Sequence, residues 1–273
     1  MKESVALEGP AGTYELVPYI EKGISPPETS WQFYLSDPAA LPKLNKQVIT
    51  WGIPKNVEDW LQSRGANVLP LANPAPGKRY LILVGDVSRE QASATTWRTI
   101  AELSATGSTV IFLSPKAFAC GEQSSAQLPL VKKGRIYEFN DWLYHKECVG
   151  KPHPVFDGLQ HRGILNWYYW APVLPTYLFD GQDTPDEVMA AAFAAGYSTP
   201  GGYASGVLLG SYKFGVGNFV LNSFHILEHI DVHPAADRLL LNLIHHYGQL
   251  SVGPAVALPP DFETRLKGIG YVD

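Results

Sequence analysis

The stretch Arg79–Ser114, RYLILVGDVSREQASATTWRTIAELSATGSTVIFLS, decides the fold. Tyr80 to Val84 is an unbroken apolar run, the signature of a strand covered on both faces. Gly85 and Asp86 interrupt it, and Ser88 with Gln91 three residues on forms a capping-box pattern that predicts a helix start. Trp97, Ile100, Ala101 and Ser104 recur at helical spacing, and Gly107 supplies the left-handed residue that stops a helix. Thr109 to Leu113 is a second β-branched, apolar strand. Two buried strands joined by a helix make a βαβ unit with parallel strands.

Working outward, Lys46–Trp51 (KQVITW) predicts a first strand, Asn56–Arg64 a short helix stopped by Gly65, and Ala66–Leu71 a second strand. The order strand, helix, strand, loop, strand, helix, strand predicts a doubly wound α/β sheet. Further on, Gly134–Trp142 suggests a strand, and Val188–Tyr197 fits helix by its alanines or strand by its position before GGYASG. Ile164–Trp170 (ILNWYYW) is a dense aromatic run, read as a strand that would send two of its rings inward and two outward. Ser205–Tyr212 and Asn218–Phe224 flank Lys213–Gly217 and predict a hairpin. A helix is then expected from His233-Pro234 through Tyr247, ended by Gly248. Residues 1–45 and 251–273 are proline-punctuated and read as arms around an α/β domain at 46–250, the first anchored by Trp31, Phe33 and Tyr34.

The 273 residues carry a net charge of −5 with no basic run beyond Lys132-Lys133, which argues against a nucleic-acid partner. No apolar run has the length of a membrane span, and the N-terminus lacks the charged-then-apolar pattern of a signal peptide, so a soluble protein of unspecified compartment is expected. Cys120 and Cys148 define no disulfide framework and read as inert thiols. His229, His233, His245 and His246 lack a third ligand at recognisable spacing, so no metal is expected. Neither Gly201-Gly202 nor Gly215-Val216-Gly217 opens a helix after a strand, and no cofactor is expected. Asp180, Asp183, Asp186 and Glu187 form a local acidic cluster, read as a solvated loop.

The runs HPVFDGL, ILNWYYWAPVLP and GVLLGSYKFGVGNFVLNSFHILEHIDVHPAADRLLLNLIHH, with ILVGD and ELSATGSTVIFLS, resemble a class I glutamine amidotransferase-like domain over roughly residues 46–248. More narrowly, the chain is similar to the type found on the C-terminal side of β-galactosidase-like glycoside hydrolases, and to the β-galactosidase trimerisation domain. The resemblance implies a flavodoxin-like, mostly parallel sheet ending in a β-hairpin and helix. In catalytic members a Cys on a sharp strand-to-helix turn works with a His and a Glu after a later strand. Here the turn reads Ser114-Pro115-Lys116-Ala117, His225 stands at the expected place, and Glu228 comes three residues later instead of two. The missing nucleophile implies a non-catalytic accessory or assembly domain linked to carbohydrate-active enzymes. Its implied partners are a fused or associated glycoside hydrolase, a carbohydrate or a second copy of the chain. Two alternatives stand beside it. One is an independent hydrolase or amidotransferase-like enzyme using His225, Glu228 and Ser114. The other is a sugar-binding module using Trp167, Tyr168, Tyr169 and Trp170.

Overall fold

A computed structural model describes residues 7–17, 30–72, 74–87, 92–118, 127–138, 146–160, 163–195 and 203–272. The parallel part of the sheet is built from β3 (Gln47–Trp51), β4 (Asn67–Pro70), β5 (Leu81–Val84), β6 (Thr109–Phe112) and β12 (Gly217–Asn222), arranged β4-β3-β5-β6-β12. It continues antiparallel through β11 (Tyr203–Phe214), β10 (Glu187–Ala195) and β8 (Lys146–Gly150). An antiparallel pair, β7 (Arg135–Glu138) with β9 (Tyr177–Asp180), joins through Val207↔Phe179. The result is an α/β fold on a mixed sheet whose first half is parallel.

Period-two alternation along the strands feeds two cores. Leu81 and Leu83 of β5 pack with α1 (Lys55–Ser63) and α5 (Pro234–Leu250) on one face. Ile82 and Val84 pack on the other with α2 (Ala94–Ala105) and α6 (Phe262–Gly268). Trp97 of α2 centres the second core, with its ring 5.1 Å from Trp51 and 6.0 Å from Phe118.

Several expectations are corrected. α2 starts at Ala94, not near Ser88: Ser93 Oγ caps it by accepting the Thr96 N–H at 3.1 Å, and Ser88–Gln91 lie outside the described residues. Gly107 does end this helix region with φ +117°. Of the two readings of the alanine-rich run the structure takes the strand: β10 pairs antiparallel with β11 and β8, and Ala190, Ala192 and Ala194 turn to a buried face of the sheet. The hairpin turn is two residues long, Gly215-Val216, and β11 runs to Phe214. Gly248 does not stop α5, which continues to Leu250; a side chain there would meet Lys46.

The N-terminal segment forms a two-stranded antiparallel sheet, β1 (Gly12–Leu16) with β2 (Trp31–Leu35). Phe33 stacks on Tyr14, Tyr34 touches Tyr169 edge-on at 5.1 Å, and Trp31 stays half exposed. At the other end, residues 254–272 return to the body. Phe262, Leu266, Ile269 and Tyr271 are buried in the second core, and Glu263 pairs with Arg98 of α2.

Candidate functional site

The carboxyl ends of parallel strands are where open α/β sheets place their ligands. At the end of β12 a groove of about 710 Å³ opens between β8, the segment 165–176 and the short helix α4 (Ile226–His229). Its walls include Glu147, Cys148, Asn166, Trp167, Thr176, His225, Glu228 and His229. The size suits a small organic ligand.

His225 stands at the base of this groove, where β12 gives way to α4. Its backbone N–H donates to Val173 O at 3.0 Å, and its Nε2 accepts the Thr176 N–H at 3.2 Å. An Nε2 that accepts leaves the ring proton on Nδ1, which lies 3.6 Å from Glu228 Oε1. Both ring nitrogens are thus engaged, and His225 ties down the turn at 173–176, by its backbone at Val173 and by its ring at Thr176. The His225 imidazole and the Lys116 ammonium hold the Glu228 carboxyl down at about 2, against the opposing effect of burial. Lys116 Nζ lies 3.4 Å from Glu228 and 3.5 Å from Asp86, whose charges raise its pKa, Asp86 most strongly. The chain His225–Glu228–Lys116–Asp86 therefore ties together the ends of β12, β6 and β5.

Ser114 is 6% exposed, and its Oγ accepts the Lys116 N–H at 3.2 Å. It starts a 3₁₀ turn at Pro115 and is not part of the groove wall. Cys148 is a buried thiol that does line the groove, whereas Cys120 lies outside the described residues.

The aromatic run is a single helical turn, α3 (Trp167–Trp170), and not a strand. Asn166 caps it, with Oδ1 accepting the Tyr169 N–H at 3.0 Å. Two rings point in and two out, as neighbours and not in alternation. Tyr169 and Trp170 are core residues; Trp170 donates Nε1–H to Gln160 O and packs 5.8 Å from Phe224. Trp167 and Tyr168 are 69% and 73% exposed, Trp167 on the groove wall and Tyr168 beside the N-terminal sheet.

The acidic cluster disperses into separate duties. Asp183 accepts the N–H groups of Val131 and Lys132, Asp180 pairs with Arg135, Asp186 accepts the Lys213 N–H, and Glu187 pairs with Lys151. Among the described residues no group of three His, Cys, Asp or Glu side chains is placed to hold a metal ion, and no helix is long and apolar enough to cross a membrane. Sequence reading missed Lys116, Asp86 and Thr176, which reach the site from three separate loops. Asn166 was findable, as a capping residue three positions before Tyr169.

No family model and no curated protein matches the chain. Solved structures do. The cytoplasmic protein STM3548 from Salmonella typhimurium is 11% identical over 86% of this chain and 96% of that one, with a TM-score of 0.47. The β-galactosidase from Bacillus circulans sp. alkalophilus is 13% identical, covering 74% of this chain and 31% of that one, with a TM-score of 0.41. The GH42 β-galactosidase Gan42B is 14% identical, covering 69% and 30%, with a TM-score of 0.33. This chain thus spans under a third of the β-galactosidases it resembles. Likeness at this level concerns the path of the chain and not its chemistry.

Proposed function

We propose that this chain is a non-catalytic, flavodoxin-like accessory domain of the amidotransferase-like type, associated with carbohydrate-active enzymes, and that its groove holds a carbohydrate. The observation that carries the reading is the engagement of His225. A catalytic imidazole needs one nitrogen free to take a proton from a nucleophile. Here Nε2 is spent on the Thr176 N–H and Nδ1 faces Glu228, so the pair braces the groove. Trp167 supplies an exposed apolar ring at the rim, with Asn166, Glu147 and His229 nearby as hydrogen-bonding groups, the combination a pyranose ring uses.

The test is calorimetric titration of galacto-oligosaccharides into the wild-type chain and into Trp167→Ala. Binding weakened about tenfold or more by the substitution supports the reading, tenfold being about 1.4 kcal/mol. Binding that survives Trp167→Ala unchanged removes this ring, and with it the proposed groove, as the carbohydrate site, and no binding by the wild type removes the carbohydrate from the account.

A further inference from the structure

One pattern occurs twice: His153-Pro154-Val155-Phe156-Asp157 and His233-Pro234-Ala235-Ala236-Asp237 share the form His-Pro-x-x-Asp. Both histidines do the same local work. His153 Nδ1 accepts the Val155 N–H at 3.2 Å and heads the 3₁₀ turn Pro154–Phe156. His233 Nδ1 accepts the Ala235 N–H at 3.2 Å and heads α5. The proline after each has no N–H to cap, so the imidazole takes the next donor. Serine, threonine, asparagine and aspartate are the usual residues at such positions. Histidine differs from Ser, Thr and Asn in that protonation abolishes the acceptor, since both ring nitrogens then donate.

The two caps converge on one helix. Asn242 of α5 donates to Val155 O at 3.0 Å and to Asp157 O at 2.9 Å, seating the 3₁₀ turn on the flank of α5. The His153 ring also lies 4.8 Å from that of His246 on α5. The corner before α5 is closed by the His233 N–H on His229 O, and His229 forms part of the groove wall.

We propose that His153 and His233 form an acid-released latch on α5: while both imidazoles are neutral the 3₁₀ turn and the first turn of α5 stay capped, and proton uptake at the two rings uncaps both.

The surrounding charges favour the neutral rings on balance. Around His153, burial is the largest influence and lowers its pKa; His246 and Lys151 act the same way, while Glu187, 3.4 Å from Nε2, opposes. Around His233, burial lowers the pKa and His229 adds to it; the Tyr169 ring, 6.2 Å away, also faces it. On α5, Asp237 turns its carboxylate to the Asp231 N–H, and its own pKa is raised by burial. The folded chain therefore binds a proton at these rings less readily than the unfolded chain. Stability is full above the ordinary histidine value, near 6.5, and declines as pH falls below it. In the limit each ring changes the unfolding constant about tenfold per pH unit, and the pair about 100-fold.

The test is urea unfolding from pH 8 to pH 5.5 of the wild type and of the double variant His153→Asn, His233→Asn. Asparagine caps through its amide oxygen and does not titrate. The latch predicts that the wild type destabilises below pH 6.5 and that the double variant loses up to two protons of that dependence. The same pH dependence in both proteins overturns it. Should the variant fail to fold, hydrogen exchange at the Val155 and Ala235 amides of the wild type gives the answer. Protection at pH 7.5 that is lost at both amides at pH 5.5, after correction for intrinsic rates, supports the latch. Protection unchanged at both overturns it.

Discussion

At His225 one backbone N–H decides the chemistry. The Thr176 donor holds the Nε2 lone pair that a general base would need, and in exchange the ring fixes Thr176 on the wall of the groove. His225→Ala leaves that N–H without its partner, and we expect a loss of about 1 kcal/mol in urea unfolding. Glu228 gives a pH signature of the same sign as the capping histidines, in a lower pH window. Its folded pKa is depressed to about 2, so its contribution is present above the ordinary carboxylate range and is lost as pH falls toward 2. Because its side chain is 41% exposed, solvent screening keeps this contribution small. Acid titration of Glu228→Gln should show a slightly shallower loss of stability between about pH 4.5 and 2 than the wild type. The place of His225 was legible in the sequence, because a strand of clear pattern ends just before it. Its role was not, because Thr176 lies 49 residues away and spacing carries no trace of that bond.

Elements were legible where packing agreed with periodicity. The β5–α2–β6 unit was read from its apolar runs, but the start of α2 was misplaced: Ser88 and Ser93 both offer a hydroxyl, and the structure uses Ser93. The aromatic run failed as a strand because Asn166 caps a turn that the β-forming rings concealed. Asn166→Ala should cost about 1 kcal/mol and loosen the seat of Trp167. It should be visible both as a lower urea midpoint and as altered tryptophan emission. The hairpin between β11 and β12 depends on Gly215, whose φ is +65° and where a Cβ would stand 2.4 Å from Ala105 O. Gly215→Ala should destabilise the chain by about 1–3 kcal/mol, measured by thermal or urea unfolding.

At the scale of the molecule, two cores share one sheet, and the segment after residue 251 covers part of the second. Its prolines point to extended chain, whereas the spacing of Phe262, Leu266 and Ile269 packs α6 onto α2. Four large side chains are buried there, Tyr271 included, and removing residues 254–273 forfeits roughly 6 kcal/mol or more of apolar burial. That is comparable to the whole stability of a typical domain. The truncated chain should therefore bind a hydrophobic dye and lose its cooperative melt. The alternation of Leu81, Ile82, Leu83 and Val84 between the cores follows from strand geometry and could be read in advance. The antiparallel extension through β10 and β8 could not, since its pairing joins segments whose composition is mostly small or polar.

On the proposed reading the groove binds a carbohydrate and does not react with it. The most direct measurement is turnover of nitrophenyl glycosides, nitrophenyl esters and glutamine by the wild-type chain beside His225→Ala, at matched protein concentration. The account predicts no turnover that depends on His225. Turnover above background that disappears in His225→Ala would contradict it and make the groove an active site.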